Sequence, residues 1–228
     1  MPRLKLNRFK ADPLPPDVQA HYVHVYNSRD LHNHPETLPP ISSPVLFGND
    51  LPLVFDLGCG RGRFIAQQAA QQPDRNWVGF DWHWKSIWDA VRRVQQAGAG
   101  NVRFIRADFR RVLRYVPDGV VVEAFLLFPP VVLEHKRRQK DLIVPSMLAD
   151  LHRTLAPGAP LHFVTDSDEY FARKKTLLEE SGLFNVLTIS QGMEGGQTRF
   201  QRFWESLGIE SKRLEARKRA TGPSQGEG

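Results

Sequence analysis

The chain has one cysteine, Cys59, in 228 residues. That excludes an intrachain disulfide framework and any zinc site built from several thiolates. No apolar run approaches the roughly 20 residues a membrane span needs, and the opening residues, MPRLKLNRFKADPLPP, lack the apolar core of a secretory signal. No segment repeats another. What remains is the profile of a cytoplasmic globular protein, with no membrane partner expected: 41% hydrophobic and 25% charged residues. Lys and Arg total 31 against 25 Asp and Glu, a formal net charge of +6. Such a balance suits a polyanionic partner without specifying a fold.

Residues 1–44 are rich in proline (Pro13, Pro15, Pro16, Pro35, Pro39, Pro40 and Pro44) and weak in periodicity. They read as an extended, partly ordered N-terminal arm. Its four histidines, His21, His24, His32 and His34, match no ligand spacing, so no metal is expected.

From Leu51 strand and helix signals alternate. Leu53 to Leu57 is a buried strand running into glycines, and Phe64 to Gln72 is a helix stopped by Pro73. Trp77 to Asp81 is a second strand. A helix follows with Ile87, Trp88, Val91 and Val94 on its inner stripe. Further strands are expected at Val102–Asp108, Val120–Phe128 and Leu161–Asp166, with helices from about Lys140 to Leu155 and from Asp168 to Ser181. Phe184–Ser190 and Thr198–Trp204 read as closing strands, and residues 209–228 as a basic, disordered tail. The pattern predicts an α/β protein with a doubly wound, mostly parallel sheet, its ligand site at the carboxyl ends of the strands.

The sharpest motif is Asp56-Leu57-Gly58-Cys59-Gly60-Arg61-Gly62, between a strand and a helix. Asp81 ends the next strand and Asp108 follows the third. A dinucleotide site wants G-x-G-x-x-G, but here the sixth position is Arg63. A carboxylate such as Asp56 beside the loop would also oppose a pyrophosphate. It suits S-adenosylmethionine, which carries an ammonium and a sulfonium. Asp81 is placed to accept the ribose hydroxyls and Asp108 to flank the adenine, although each aspartate could serve instead as a cap. Cys59 reads as a small residue tolerated in a tight turn. Trp82 or His83 could lie against the adenine, while Trp88 reads as core.

Several segments in order resemble the bacterial tRNA (guanine-N7-)-methyltransferases, the TrmB family. They are Leu46-Phe47-Gly48 with Pro52 to Gly60, Gly79-Phe80-Asp81-Trp82-His83, Asn101 to Asp108, Phe128-Pro129 with the basic run His135 to Lys140, His162 to Tyr170, and Thr198-Arg199-Phe200-Gln201. The similarity spans about residues 45–208. It implies a seven-strand class I methyltransferase domain there, S-adenosylmethionine as donor, and guanine N7 in the variable loop of tRNA as acceptor. Carried over by position, Asp56, Gly58, Gly60, Asp81 and Asp108 bind the cofactor. Asp166, Thr198 and Arg199 line the guanine pocket as its catalytic residues, and Lys136, Arg137, Arg138 and Lys140 meet RNA phosphates. Pro130 and Gln201 stand where the family has acidic residues. This leaves open a chain that binds donor or RNA with impaired activity, or that methylates another acceptor. Further basic clusters lie at Arg3 to Lys10 and Lys212 to Arg219.

Overall fold

The computed structural model describes residues 11–133, 141–189, 208 and 211–219. The chain divides into two compact units, 1–115 and 116–228.

In the first unit, four parallel strands pair in the order β1-β4-β3-β2: β1 (Val23–Val25), β4 (Val102–Arg106), β3 (Asn76–Asp81) and β2 (Leu53–Leu57). Every residue of β2 is buried, as is β3 up to Phe80. This is why these stretches read as unbroken apolar runs instead of alternating ones. Helix α4 (Arg63–Gln71) connects β2 to β3, and α5 (Trp84–Gln96) connects β3 to β4. The inner stripe of α5 is Ile87, Ala90, Val91 and Val94, all fully buried. Trp88 departs from the expected core role. It is half-buried, stacks on Trp84 at 5.8 Å between centroids, and its indole N–H donates to Gln19 Oε1 at 3.4 Å. The turn after α4 is tied down by the Asn101 side-chain amide, which reaches the carbonyls of Gln72 (2.9 Å) and Arg75 (2.7 Å).

The proline-rich arm is more ordered than its composition suggests. Residues 11–44 contain α1 (Pro16–Tyr22), β1, α2 (Ser28–Asn33) and the start of α3 (Ser43–Phe47). Val23, Tyr26, Leu31 and Ile41 are buried, and the Tyr26 hydroxyl donates to the Pro39 carbonyl at 2.6 Å. A few well-spaced apolar anchors fix the segment without a periodic pattern. Among the described residues no cluster of three His, Cys, Asp or Glu is placed to hold an ion.

After Asp108 comes the short helix α6 (Phe109–Val112), continued as a tighter turn through Tyr115. In the second unit the strands pair in the order β5-β6-β8-β7: β5 (Val121–Leu127), β6 (Pro160–Thr165), β8 (Lys212–Lys218) and β7 (Phe184–Ile189). β5 and β6 are parallel, while β8 runs antiparallel to both neighbours. The helices are α7 (Pro145–Thr154) and α8 (Asp168–Glu180). α7 starts five residues later than Lys140, because Pro145 takes the first helical position, where its missing N–H costs nothing.

The expected boundary at 208 and the disorder expected behind it need correction for residues 211–219. Lys212–Lys218 is an inner strand, with Leu214 and Ala216 buried on one face. Its arginines hide the alternation. The expected strand Thr198–Trp204 lies outside the described residues. Eight strands are present among the described residues, one more than the seven expected, and β1 from the arm is an unforeseen one. No described helix is long and apolar enough to cross a membrane.

Candidate functional site

The site grows from the carboxyl ends of β2, β3 and β4. β2 delivers Asp56 and then turns through Gly58 to Gly62 into α4. Gly58 has φ +87° and Gly60 φ +54°, and a Cβ on either would meet no atom within 4 Å. The loop therefore exposes left-handed backbone to open space, a surface a ligand can approach closely. Gly62 is different. At φ +71° its Cα packs on α5, so a Cβ there would lie 2.5 Å from the Ala90 Cβ. The turn is closed by Cys59 N–H donating to the Phe80 carbonyl (2.8 Å) and Gly62 N–H to the Cys59 carbonyl (3.0 Å).

Asp56 is 2% exposed, and its Oδ2 has no hydrogen-bond partner. Burial first, and then the neighbouring Asp81, push its carboxyl up to about 8. Asp81 is also raised, chiefly by burial, against the opposing backbone N–H of His83, which donates to its Oδ1 at 2.8 Å. The Cys59 thiol is pushed well above its ordinary value by burial and by both aspartates. It is thus a poor nucleophile that fills space under the loop: its Sγ would lie 3.0 Å from a Cβ at Gly79. An unpaired buried carboxylate is costly. Asp56, with one oxygen unpartnered, stands beside Asp81 and an open glycine loop, an edge that favours a cation. The residues fit an aminosulfonium donor better than a pyrophosphate.

Asp108 takes a more structural position than the sequence suggests. Its Oδ1 accepts from the Arg110 backbone N–H at 3.1 Å, capping α6, and its carboxylate grips the Arg110 guanidinium through Nε (2.9 Å) and Nη2 (2.6 Å). It still stands on the same strand edge, since the Ala107 N–H next to it donates to the Asp81 carbonyl at 3.1 Å. Arg110 is the residue that sequence reasoning missed; the Asp-x-Arg spacing was its only signal. Trp82 is 65% exposed beside His83, with ring centroids 4.4 Å apart. A tryptophan this open next to Asp81 offers a flat apolar face to a ligand.

In the second unit, Asp166 stands exposed directly after β6. Phe128, directly after β5, has φ +48°, and its N–H donates to the Val164 carbonyl at 2.8 Å. A bulky residue in the left-handed region is strained, and such strain concentrates at functional loops. Pro130 follows, exposed. Nearby, Asp141 is held by Tyr170 Oη (2.8 Å) and by the Lys174 ammonium, which also donates to the Ile143 carbonyl (2.9 Å). The Tyr170 hydroxyl is pushed up by burial and by Asp141. Lys136, Arg137, Arg138, Lys140, Thr198, Arg199 and Gln201 lie outside the described residues. The structure thus brings Asp56, Asp81 and Asp108 to one edge and places Asp166 at a strand end of its own.

A family model described as "Putative methyltransferase" matches residues 50–214. A tRNA (guanine-N(7)-)-methyltransferase of Rubrobacter xylanophilus is 34% identical over 94% of this chain and 98% of its own length. One from Chloroflexus aggregans is 32% identical over 91% and 93%. Among solved structures, an rRNA methylase of Streptococcus thermophilus superposes with a TM-score of 0.51 at 14% identity, over 75% of this chain and 89% of that one. That last likeness bears on the fold, which is the doubly wound methyltransferase fold.

Proposed function

The chain belongs to the tRNA (guanine-N7)-methyltransferase family, and from that membership we propose that it transfers a methyl group from S-adenosylmethionine to N7 of a guanine in tRNA. The observation in this molecule that carries the reading is Asp56: a buried carboxylate with an unpartnered oxygen beneath an open glycine loop. When bound, S-adenosylmethionine supplies an electrophilic methyl on a cationic sulfur.

The chain's own residues provide position and charge. Asp56 and Asp81 favour a cation at the strand edge, and Asp56 would ionise against it. Gly58 and Gly60 would let backbone approach it, and the exposed Trp82 would offer it a flat apolar face. Asp108, now gripped by Arg110, is the third cofactor-binding carboxylate. Guanine N7 carries a free lone pair at neutral pH, so no general base is needed, and catalysis comes mainly from proximity and alignment. Asp166, with Thr198 and Arg199, would hold the base edge and balance the positive charge that develops on it. Lys136, Arg137, Arg138 and Lys140 would meet tRNA phosphates, and the variable loop would carry the target base. A tRNA substrate implies a cytoplasmic site of action.

Pro130 and Gln201 weaken anchoring and remove no proton acceptor the reaction needs. Matches over nearly the full length of named methyltransferases favour an active enzyme over a binding relic. The test is transfer of a labelled methyl to unmodified tRNA, with 7-methylguanosine mapped by chemical cleavage of the chain. Label at guanine N7 confirms the reading, and its absence with every tRNA refutes it.

A further inference from the structure

We propose that α6 and the neighbouring α2 form a docking surface for RNA phosphates, additional to the basic run at Lys136 to Lys140. The identity of the RNA as tRNA rests on the reading above; the surface itself rests on the geometry of the first unit.

The segment Phe109 to Tyr115 is amphipathic within two turns. Phe109, Val112 and Leu113 are buried, which leaves Arg110, Arg111 and Arg114 on the outer side. Arg111 and Arg114 are exposed. Helix α2 packs against α6, and the Tyr115 hydroxyl donates to the Leu31 carbonyl at 2.7 Å. This bond holds the exposed Arg29 on the same helix pair. The acids facing this surface are already engaged. Asp108 is gripped by Arg110, and Asp30 accepts from the Asn27 side chain and lies in the first turn of α2. Among the described residues no ion pair involves Arg29, Arg111 or Arg114. Two exposed guanidinium groups three residues apart, Arg111 and Arg114, with Arg29 exposed on the packed neighbour α2 and the local carboxylates occupied, make a surface for a polyanion. Arginine forks match phosphate oxygens two at a time.

Placement gives the surface its use. α6 begins at Asp108, on the strand edge that carries Asp81 and the glycine loop. A nucleic-acid backbone resting on α6 therefore runs along the rim of the donor pocket. Phosphate contacts of this kind position a substrate without reading its bases.

The experiment measures binding of an unmodified tRNA transcript by fluorescence anisotropy across a salt series. It compares the wild type with Arg111→Glu, Arg114→Glu and, as a control of equal charge change, Lys175→Glu on α8. Each arginine reversal weakens binding about tenfold and flattens the log–log salt slope by about one, as the loss of one phosphate contact requires. Lys175→Glu changes neither. Arg114→Lys keeps most of the affinity, and calorimetric S-adenosylmethionine binding is unchanged in all variants, which excludes misfolding as the cause. If neither arginine reversal weakens binding more than Lys175→Glu, or if the wild type does not bind tRNA, the proposal is overturned. Methyl transfer by the wild type judges the tRNA reading separately: transfer with unaffected variants removes the surface and keeps the enzyme, while weakened variants of a wild type that transfers nothing do the reverse.

Discussion

Gly62 lies so close to Ala90 that no side chain fits between them: a Cβ on Gly62 would come within 2.5 Å of the Ala90 Cβ and 2.7 Å of its Cα. The contact sets the Gly62 backbone against the Cβ and Cα of Ala90, where α4 starts and α5 passes.

Gly62→Ala combines this clash with a left-handed φ of +71°. It should cost about 2–4 kcal/mol, from overpacking plus backbone strain. Gly58→Ala has open space and only the φ penalty, so it should cost about 1–2 kcal/mol while its methyl would intrude on the donor. Urea unfolding should rank Gly62→Ala well below Gly58→Ala in stability, and donor titration should find both weakened.

Asp56→Asn separates stability from binding. The folded pKa of Asp56, about 8, lies above the ordinary 3.8. The donor-free fold therefore holds a proton that the unfolded chain gives up. The stabilisation from that proton is fully present below about pH 4 and drains away as the pH rises through about 8. Asparagine does not titrate, so the variant should melt higher than the wild type at pH 8.5 yet lose most donor affinity. Melting curves between pH 6 and 9 check the first half and calorimetry the second.

Lys174→Met strands the Asp141 carboxylate, which keeps Tyr170 but loses its counter-ion in a site where both side chains are about one-tenth exposed. Breaking a buried pair by removing one partner costs about 3–5 kcal/mol. Chemical denaturation should show a loss of that order. The double variant Lys174→Met with Asp141→Leu should recover part of it, because no buried charge then remains alone.

Asp166→Ala removes an exposed group, so stability should change little. Its expected role at the base edge predicts a fall of about 10- to 100-fold in kcat/KM for tRNA, on the scale of a lost hydrogen bond to a charged group, with donor affinity unchanged. Steady-state kinetics beside donor titration decide it.

The glycine loop and the β2–α4–β3–α5–β4 order were legible because β2 and nearly all of β3 are buried on both faces, and the turns after β2, α4 and α5 are marked by glycine or proline. Asp56 and Asp81 were legible for the same reason, since the motif fixes where the strand ends fall. β8 was not. In Lys212-Arg213-Leu214-Glu215-Ala216-Arg217-Lys218 only Leu214 and Ala216 speak for a strand, and the pairing partners, β6 and β7, lie far back in the chain. β1 was hidden by its length of three residues and by the prolines around it. The engagement of Asp108 by Arg110 was out of reach because a carboxylate at a helix start reads equally as a cap or a ligand. Phe128 at φ +48° follows from the path of the chain after β5, which no local pattern encodes.

Titration calorimetry of S-adenosylmethionine at pH 7, in two buffers of different ionisation enthalpy, bears most directly on the claim that Asp56 awaits a cation. The account predicts binding with release of close to one proton, as Asp56 ionises against the donor, and no release from Asp56→Asn. A wild type that binds no S-adenosylmethionine, or that binds a nicotinamide dinucleotide in its place, would contradict it.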